Sequence, residues 1–338
     1  MSLNQNLQNY LNTNNSTLDK YIISTFYKFL VLENYKELKI KFDKSLSKTN
    51  IKGTILLANE GVNGTIAGSE SDLKKFFLYM DKFSQFKDIT PKFSSSNKNP
   101  FLRMKVRLKK EIVTIGIPEV SPSNLVGKYL NVEEWNEFLN ESDSMIIDTR
   151  NDYEVSIGTF KNSINPKIKS FRNFPNWVQK NLIDKKISKK SKIGMFCTGG
   201  IRCEKSTSYL KQLGFENVFH LDGGILKYLE NVKSDENEWK GECFVFDYRV
   251  SLNDSLEKGE YDMCYACRMP LSKENKKNKH YLKGQSCEYC YDQTTIKQKK
   301  RFNEREKQIK LSKVKNLTHL GPKAVSYTHL TLPTNTVV

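Results

Sequence analysis

Apolar and polar positions in the first 118 residues follow strand-like and helix-like periods in turn. The elements that these periods predict are, in order, strand 21–32, helix 35–46, strand 51–58, strand 65–67, helix 69–83 and a strand pair over 101–108 and 111–117. Ser69 is the expected N-cap of the second helix, with Asp72 in its first turn. The pair Asn63-Gly64 predicts a tight turn between two of the strands.

The order of these elements, βαββαβ, is the split βαβ plan of a small two-layer α+β domain. We therefore predict a ferredoxin-like (acylphosphatase-like) domain over residues 18–118. Residues 1–17 are rich in Asn, Gln and Thr and lack both a basic head and an apolar stretch, so we expect a disordered N-terminus rather than a signal peptide. A short linker with proline and serine is expected over 119–124.

After the linker, short apolar runs alternate with helical spacing. The runs at 144–148, 192–196 and 218–221 have the composition of buried strands, and helical spacing covers 203–213 and 225–232. This alternation predicts βαβ units and a mostly parallel sheet, so we expect an α/β domain over residues 125–235. In such sheets the ligand site lies beyond the carboxyl ends of the strands, which is where functional residues are expected.

Composition places the 338-residue chain among folded proteins of two or three modules. Hydrophobic residues make up 38% of it, yet no apolar run approaches the ~20 residues that cross a bilayer. We therefore expect a cytoplasmic protein and not a membrane protein. In that reducing compartment, seven cysteines favour metal binding or thiol chemistry over disulfide bonds.

The formal charge of +17 is concentrated in two segments. Residues 18–118 carry +9 and residues 291–323 carry +7, whereas residues 125–232 carry only +3 and residues 233–290 carry −1. This uneven distribution suggests a polyanionic partner, nucleic acid rather than membrane, because no amphipathic insertion helix accompanies it. A lysine-rich solvated surface is the alternative, and charge alone does not separate the two.

Two groups of cations are candidates for binding a nucleic-acid backbone. Arg103, Lys105 and Arg107 alternate with apolar residues, so a strand would place them together on one face. Arg301 and Arg305 lie in a charged stretch that predicts a helix. Contacts of arginine and lysine with phosphate supply most sequence-independent affinity for nucleic acids. The alternatives are a solvent-facing strand and a basic helix frayed into solvent.

The strongest chemical signal follows the predicted strand 192–196. Cys197 closes that strand, and Gly199, Gly200 and Arg202 lead into a predicted helix. Backbone N–H groups and the positive end of the helix dipole both favour a thiolate at such a position, and the thiolate is the nucleophilic form of cysteine. The alternative is a small buried hydrophobic residue, a common role of a free cysteine.

The segment from Cys197 to Arg202 resembles the active-site loop of rhodanese domains, whose cysteine carries a persulfide in the sulfurtransferases. The pattern D-x-R-x-x-x-E-x-x-x-G that begins at Asp148 resembles a second rhodanese segment, and residues 221–225 resemble the closing turn. Thr159 stands where many rhodaneses carry histidine, which is a departure from the sulfurtransferase pattern. The resemblance implies a rhodanese fold for the second domain.

A longer set of segments is similar to a narrower family, the oxygen-dependent tRNA uridine 5-hydroxylases. The set comprises CTGGIRCEKS at 197–206, NEGVNG at 59–64, RMKVR at 103–107 and NLVGKYL at 124–130. The similarity runs from about residue 21 to about residue 308. It implies 5-hydroxylation of the wobble uridine, with tRNA as partner and O2 as co-substrate. It identifies neither an electron donor nor an obligate protein partner.

By the same resemblance, Cys197 is the expected catalytic residue, with Arg202 as the adjacent cation. Cys203 lies in the following helix, where it either resolves a sulfur adduct or merely packs. Asp148 and Arg150 are expected to organise the loop through charge-assisted hydrogen bonds. Two other functions stay open: a thiosulfate-type sulfurtransferase or persulfide carrier, and a non-catalytic RNA-binding protein whose loop is inert.

Four further cysteines form two C-x-x-C pairs in the third block, residues 236–295. Cys264 and Cys267 form the first pair, and after 19 intervening residues Cys287 and Cys290 form the second. Two such pairs at this separation are typical of a structural zinc site, because four thiolates complete a closed tetrahedron. We therefore predict structural zinc, with four free thiols as the alternative.

The end of the chain divides into two stretches. Residues 296–323 predict a basic helical tail. Residues 324–338 are rich in threonine, uncharged and similar to translated adapter sequence, so we interpret them as a non-native tail outside the fold. The chain as a whole is predicted to be a multidomain protein of mixed α/β and α+β class.

Overall fold

The computed structural model describes residues 1–13 and 20–315, which form three successive parts. The first part contains helices α1 (Leu3–Thr13), α2 (Tyr35–Leu46) and α3 (Glu70–Met80) and strands β1 (Tyr21–Phe29), β2 (Lys52–Ala58), β3 (Gly61–Gly68), β4 (Lys92–Ser96) and β5 (Met104–Leu108). The strand order is β4-β1-β3-β2-β5, with β2 and β5 parallel and the other pairs antiparallel. This topology confirms the predicted ferredoxin-like, acylphosphatase-like plan.

The sheet of the first part packs one of its faces on α2 and α3. Phe26 of β1, Phe42 of α2 and Phe76 of α3 are buried together in this core. Successive residues of a strand point to opposite faces, so Thr25 and Tyr27 are directed away from α2 and α3. The second face of the sheet is therefore free to contact the next part of the chain.

The predicted turn at Asn63-Gly64 is wrong. Both residues lie inside β3, and Asn59 and Glu60 form the turn between β2 and β3. Glycine is required at position 64 for packing rather than for turning, because a Cβ there would lie 2.7 Å from the ring of Phe26. The Asn-Gly pair thus reflects a close approach of two strands.

The strand predicted over 111–117 is also wrong, and β4 was not predicted. The Glu111 carboxylate accepts the N–H groups of Ile115 at 3.0 Å and Gly116 at 3.1 Å, which curls the segment and prevents its extension. Strand β4 has the sequence KFSSS, which has little strand character, and forms because it pairs with β1.

Disorder was predicted for the N-terminal residues, and this prediction is wrong for residues 3–13. Residues 3–13 form α1, with Leu3 and Leu7 buried in the core of the first part. The Asp81 carboxylate accepts the N–H groups of Leu3 at 2.8 Å and Asn4 at 3.1 Å, which satisfies the free end of the helix. This carboxylate lies far along the chain, so local composition gave no sign of it. Residues 14–17 of the predicted disordered stretch lie outside the described residues.

The second part has a parallel sheet in the order β6-β10-β9-β7. Its elements are β6 (Lys128–Leu130), α4 (Val132–Asn140), β7 (Ser144–Asp148), α5 (Asp152–Val155), β8 (Gly158–Phe160), α6 (Phe174–Val178), β9 (Lys192–Phe196), α7 (Ile201–Gln212), β10 (Val218–Leu221) and α8 (Gly224–Asn231). The three predicted buried strands are present at the predicted residues, and the parallel sheet is confirmed. Its carboxyl ends position the loops that begin at residues 149, 197 and 222.

The third part consists of β11 (Trp239–Gly241), β12 (Cys243–Phe244), β13 (Ser251–Leu252), β14 (Asp262–Met263), β15 (Pro270–Leu271) and α9 (Ile296–Val314). Strand β11 pairs with β8, and Trp239 is buried in a core of the second part, so the chain beyond residue 235 stays attached to that part. Helix α9 confirms the helix predicted from residue 296. The stretches 316–323 and 324–338 lie outside the described residues.

None of the helices in residues 1–13 and 20–315 is long and apolar enough to cross a membrane.

Candidate active site at the Cys197 loop

Cys197 lies at the carboxyl end of β9, in a loop that backbone groups enclose. The Gly200 N–H donates to the Cys197 sulfur at 3.1 Å, and Gly200 has a φ of +96°, which a side chain would disfavour. The N–H of Ile225 donates to the Cys197 carbonyl at 2.9 Å, which joins the loop to the start of α8. A Cβ at Gly224 would lie 2.4 Å from that carbonyl oxygen. The glycines of both loops thus permit this close packing around the thiol.

The surroundings of Cys197 favour its thiolate form. Burial by itself raises the pKa of this thiol, but a hydrogen bond from Cys203, the charge of Arg202 and backbone hydrogen bonds from Cys203 and Arg202 together lower the pKa to about 5. The thiolate therefore predominates at neutral pH. Cys197 also lies just before the start of α7, where N–H groups and the helix dipole add to this preference.

Arg202 is held in place by a buried carboxylate. Its guanidinium donates to Glu154 through two bonds, of 2.6 Å to Oε1 and 2.8 Å to Oε2. A third bond, of 3.3 Å, reaches the Thr198 hydroxyl inside the cysteine loop. Because Glu154 is fully buried, the pair fixes the orientation of Arg202 beside Cys197.

Asp148 and Arg150 form a second buried pair next to the loop. The Arg150 side chain donates to Asp148 Oδ1 at 2.9 Å and to Oδ2 at 2.6 Å, and it reaches the Glu154 carbonyl at 3.4 Å. The intervening Thr149 contacts the end of β9, from which the loop begins, because its hydroxyl donates to the Phe196 carbonyl at 2.9 Å. The predicted support of the loop by Asp148 and Arg150 is thus indirect, through Glu154 and the backbone.

Cys203 lies in the first turn of α7 and is fully buried. Burial and the neighbouring Cys197 raise the pKa of its thiol well above the ordinary value, so it stays protonated. The Thr149 hydroxyl lies 3.8 Å from its sulfur. Cys203 also packs in the core of the second part, as its predicted packing role requires.

A cavity of about 530 Å³ opens on Cys197. It lies between the free face of the first sheet and the cysteine loop, and residues of the third part close one side. Its walls include Thr25, Thr65, Lys92, Cys197, Arg202 and Phe246. A volume of this size accommodates a small ligand such as a nucleoside.

A second and more polar cavity, of about 920 Å³, adjoins the first. The residues that line both cavities are Phe93, Ser94, Glu230, Arg249, Leu252 and Leu256. We call the cavity at Cys197 the inner cavity and this second one the outer cavity. Lys98 and Lys258 line only the second cavity. With Lys20 and Arg249, these lysines outnumber the two carboxylates of the outer cavity, Glu230 and Glu257, so an anionic group attached to a ligand in the inner cavity would meet a net positive charge there.

Three residues of this region were not predicted from the sequence: Lys92, Tyr27 and Glu204. Lys92 of β4 donates from Nζ to the Gly199 carbonyl at 2.6 Å and to the Gly223 carbonyl. The Tyr27 hydroxyl donates to Glu204 Oε1 at 2.8 Å, and burial raises the pKa of the Glu204 carboxyl. The partners lie more than 100 residues apart, so no local motif signals them.

A buried ion cluster joins the first two parts of the chain. Lys205 of α7 is fully buried, and its Nζ lies 2.6 Å from Glu60 Oε2 and 2.8 Å from Glu111 Oε2. Glu60 also accepts the N–H of Ile112 at 2.6 Å. The segment NEGVNG is therefore a contact between domains, because it supplies one of the two carboxylates that neutralise Lys205.

The four cysteines of the two C-x-x-C pairs lie together in the third part. Their sulfur atoms are all within 4.8 Å of one another and can hold a metal ion. Individual separations are 4.0 Å for Cys264 and Cys290, 3.6 Å for Cys267 and Cys287, and 3.8 Å for Cys287 and Cys290. The predicted ligand set is thus brought together. Cys243 lies apart from them, in the core of the second part that contains Trp239, where burial raises the pKa of its thiol to about 12.

The predicted nucleic-acid-binding cations occupy two places. Arg103 and Arg107 are exposed at β5, the edge strand of the first sheet, with Lys105 between them. Burial and the charges of Arg103, Arg107 and Arg268 lower the pKa of Lys105, so Arg268, next to a metal-site cysteine, belongs to the same patch. We refer to Arg103, Lys105, Arg107 and Arg268 as the β5 basic patch.

The cations of α9 differ in exposure. Arg301 is exposed, whereas Arg305 is half-buried and donates to the Gly284 carbonyl. Arg305 also lies over the ring of Phe302, with its guanidinium carbon 5.0 Å from the ring centre. Arg305 therefore holds α9 against the rest of the third part. Of the two arginines predicted to contact nucleic acid, Arg301 is the more accessible.

Comparison with family models matches both domains. Residues 21–112 match the UPF0176 acylphosphatase like domain, and residues 131–231 match the rhodanese-like domain. Two similar solved structures are a rhodanese-related protein from Thermoplasma volcanium and a rhodanese-like domain protein from Staphylococcus aureus. Each is 25% identical and covers 30% of this chain, with 91% and 90% of the other chains covered and TM-scores of 0.24 and 0.25.

The fold and the site together define a protein in which a rhodanese-like domain, bearing a buried cysteine at a strand end, follows an acylphosphatase-like domain. The tRNA uridine(34) hydroxylase of Acaryochloris marina (strain MBIC 11017) is 49% identical over 306 residues, which cover 90% of this chain and 98% of that protein. The chain belongs to the tRNA uridine(34) hydroxylase family, and the resemblance noted in the sequence is confirmed.

Proposed function

We propose that this protein hydroxylates uridine 34 of tRNA at C5 in the cytoplasm, with O2 as co-substrate. The observation that carries the proposal is its 49% identity to a tRNA uridine(34) hydroxylase across both domains and the cysteine-cluster part. The site adds a chemical basis, because the Cys197 thiolate faces a cavity large enough for a nucleoside.

In this proposal the target base leaves the anticodon loop and enters the inner cavity. Bases in single-stranded loops are splayed out at low cost, which makes such a position accessible. The phosphate that follows the base then lies in the outer cavity near Lys98 and Lys258. The β5 basic patch and Arg301 contact the tRNA backbone, so binding weakens as salt rises.

The role proposed for Cys197 is nucleophilic. Its thiolate adds to C6 of the uracil ring, which makes C5 electron-rich and ready to react with oxygen. One atom of O2 then forms the C5 hydroxyl and the other leaves as water, with two electrons from an external reductant and two protons from solvent. Loss of the C5 proton releases the thiolate and restores the ring. Arg202, held by Glu154, stabilises the thiolate between turnovers.

The metal proposed for the four cysteines is zinc in a structural role. Four sulfurs at about 2.3 Å from a tetrahedral Zn²⁺ lie about 3.8 Å from one another. The separations of 3.6, 3.8 and 4.0 Å fit that geometry. Because Cys264, Cys267, Cys287 and Cys290 would fill all four ligand positions of a zinc ion, the bound ion would contribute to folding rather than to catalysis.

Purified protein is expected to contain about one zinc ion per chain, measured by inductively coupled plasma mass spectrometry. Cys287→Ser is expected to lose the metal and to unfold the third part, since structural zinc contributes about 10–16 kcal/mol to folding. Cys243→Ser is the matched control, because Cys243 is also buried but lies outside the cluster. Equal zinc contents in both variants would contradict the assignment.

Deletion of the protein in its host tests the function. Mass spectrometry of tRNA nucleosides is expected to show loss of 5-hydroxyuridine and its derivatives, and unchanged nucleosides would refute the proposal. The rhodanese-type ring of N–H groups around Cys197 favours a sulfurtransferase as the second candidate. Formation of thiocyanate from thiosulfate and cyanide by the purified protein would support that alternative.

A further inference from the structure

Lys92 connects the first domain to the cysteine loop of the second. It lies on β4 of the acylphosphatase-like domain, and its Nζ donates to the carbonyls of Gly199 and Gly223. Gly199 belongs to the Cys197 loop, and Gly223 belongs to the turn that begins α8. One ammonium group therefore ties together the two loops that enclose the thiol, and it does so from outside the rhodanese-like domain.

The charge of Lys92 is less compensated than that of the other cations near Cys197. Arg202 is paired with Glu154, and Lys227 is paired with Asp222 at 2.5 Å. Among the described residues, Lys92 has no carboxylate within salt-bridge distance, and its two partners are neutral carbonyls. Lys92 also lines the cavity into which Cys197 opens. Its positive charge is thus available to the thiolate.

We propose that Lys92 is a positioning residue through which the first domain fixes the Cys197 loop and stabilises the Cys197 thiolate. The inference rests on the proposed role of Cys197 as a reactive thiolate, but not on the identity of the substrate. It makes the reactivity of the cysteine a property of the two domains together.

The charge states of the two groups overlap over a defined range. Burial lowers the pKa of Lys92 to about 8, while Cys197 and Asp222 oppose the shift. The thiolate of Cys197 forms as pH rises through about 5, and the Lys92 charge is lost as pH rises through about 8. Between about pH 5 and about pH 8, Cys197 is therefore negatively charged and Lys92 positively charged. The titratable groups that also face this region are Arg202, Cys203, Glu204, Asp222, Lys227, Tyr27 and Tyr129.

The test measures the pH dependence of Cys197 alkylation in the full chain. Protein is treated with iodoacetamide at a series of pH values, quenched and digested with trypsin. Cleavage after Lys192 and Arg202 yields the peptide 193–202, which contains Cys197 and excludes Cys203. Mass spectrometry then gives the alkylation rate of Cys197 alone. The alkylation midpoint is the pH at which this rate reaches half its maximum, and in the wild-type protein it is expected near pH 5.

The variants separate the charge of Lys92 from its hydrogen bonds. In Lys92→Gln the side chain keeps N–H donors but is neutral, and in Lys92→Arg it keeps the charge. We expect Lys92→Gln and Lys92→Met to raise the alkylation midpoint by about one pH unit, since a nearby opposite charge shifts a pKa by about 1–3 units. In Lys92→Arg, the alkylation midpoint of Cys197 should stay near the wild-type value.

Lys28→Met is the matched control, because Lys28 also donates to a backbone carbonyl, that of Lys87, but lies within the first domain. The inference would be overturned if Lys92→Gln and Lys92→Met fold and their alkylation midpoints equal that of the wild-type protein. It would also be overturned if Lys28→Met shifted the midpoint by the same amount. If Lys92→Met does not fold, as judged by circular dichroism, the comparison of Lys92→Gln with Lys92→Arg decides. The assay needs no tRNA, so unchanged tRNA nucleosides on deletion would refute the proposed function while the alkylation result still stands.

Discussion

Replacement of Cys197 by alanine is expected to abolish uridine hydroxylation. A deletion strain that carries Cys197→Ala should show no 5-hydroxyuridine in its tRNA, whereas the wild-type chain restores it. The physical reason is that the variant lacks the thiolate that faces the cavity, and loss of a nucleophile costs about four orders of magnitude or more in rate. The measurement is mass spectrometry of nucleosides from purified tRNA.

Two further cysteine variants complete this experiment. Cys243→Ala is the control for loss of a buried thiol, because Cys243 lies away from the loop and its pKa is raised to about 12. It should restore the modification. Cys203→Ala tests whether Cys203 has a chemical role. Loss of activity with normal folding indicates one, as a resolving thiol or as the group that lowers the Cys197 pKa, and retained activity indicates packing. Restoration by Cys197→Ala would show that the cysteine is not the nucleophile.

Lys205→Met is expected to destabilise the protein by about 3–5 kcal/mol, the cost of removing one partner from a buried ion pair. The substitution leaves Glu60 and Glu111 without their shared cation at the interface of the two domains. The measurement is urea unfolding followed by tryptophan fluorescence. The three tryptophans, Trp135, Trp177 and Trp239, lie in or against the rhodanese-like domain, so the signal reports that domain.

Lys192→Met provides the comparison for Lys205. Lys192 also contacts two carboxylates, Glu141 at 2.6 Å and Asp143 at 3.6 Å, but its side chain is 41% exposed. Exposed pairs contribute only about 0–1 kcal/mol, so this variant should unfold close to the wild-type midpoint. Equal losses of stability in the two variants would mean that burial of the Lys205 cluster has no special effect.

The fold could be predicted where burial leaves a continuous signal in the sequence. The strands 144–148, 192–196 and 218–221 are buried in a parallel sheet, so their apolar runs define their ends. Strand β4 could not be predicted, because its serines carry no strand preference and its pairing with β1 is tertiary. Helix α1 was missed for a similar reason, since its cap, Asp81, comes from the end of α3.

The candidate site divides in the same way. The Cys197 loop and the two C-x-x-C pairs are local motifs whose spacing has a direct chemical meaning, and the structure brings their members together. Lys92 resembles any other lysine of a lysine-rich chain until the fold places it over Gly199. Its contribution depends on the packing of two domains, which no spacing rule within one segment encodes.

The Lys205 cluster also bears on how this protein can be divided. A fragment that contained only the rhodanese-like domain would present a lysine stripped of Glu60, Glu111 and the contacts that bury it. Strand β8 would lose its partner β11 if the cut fell at residue 235. We therefore expect the second domain to be unstable when it is expressed alone. Recombinant protein should include residues 1–315.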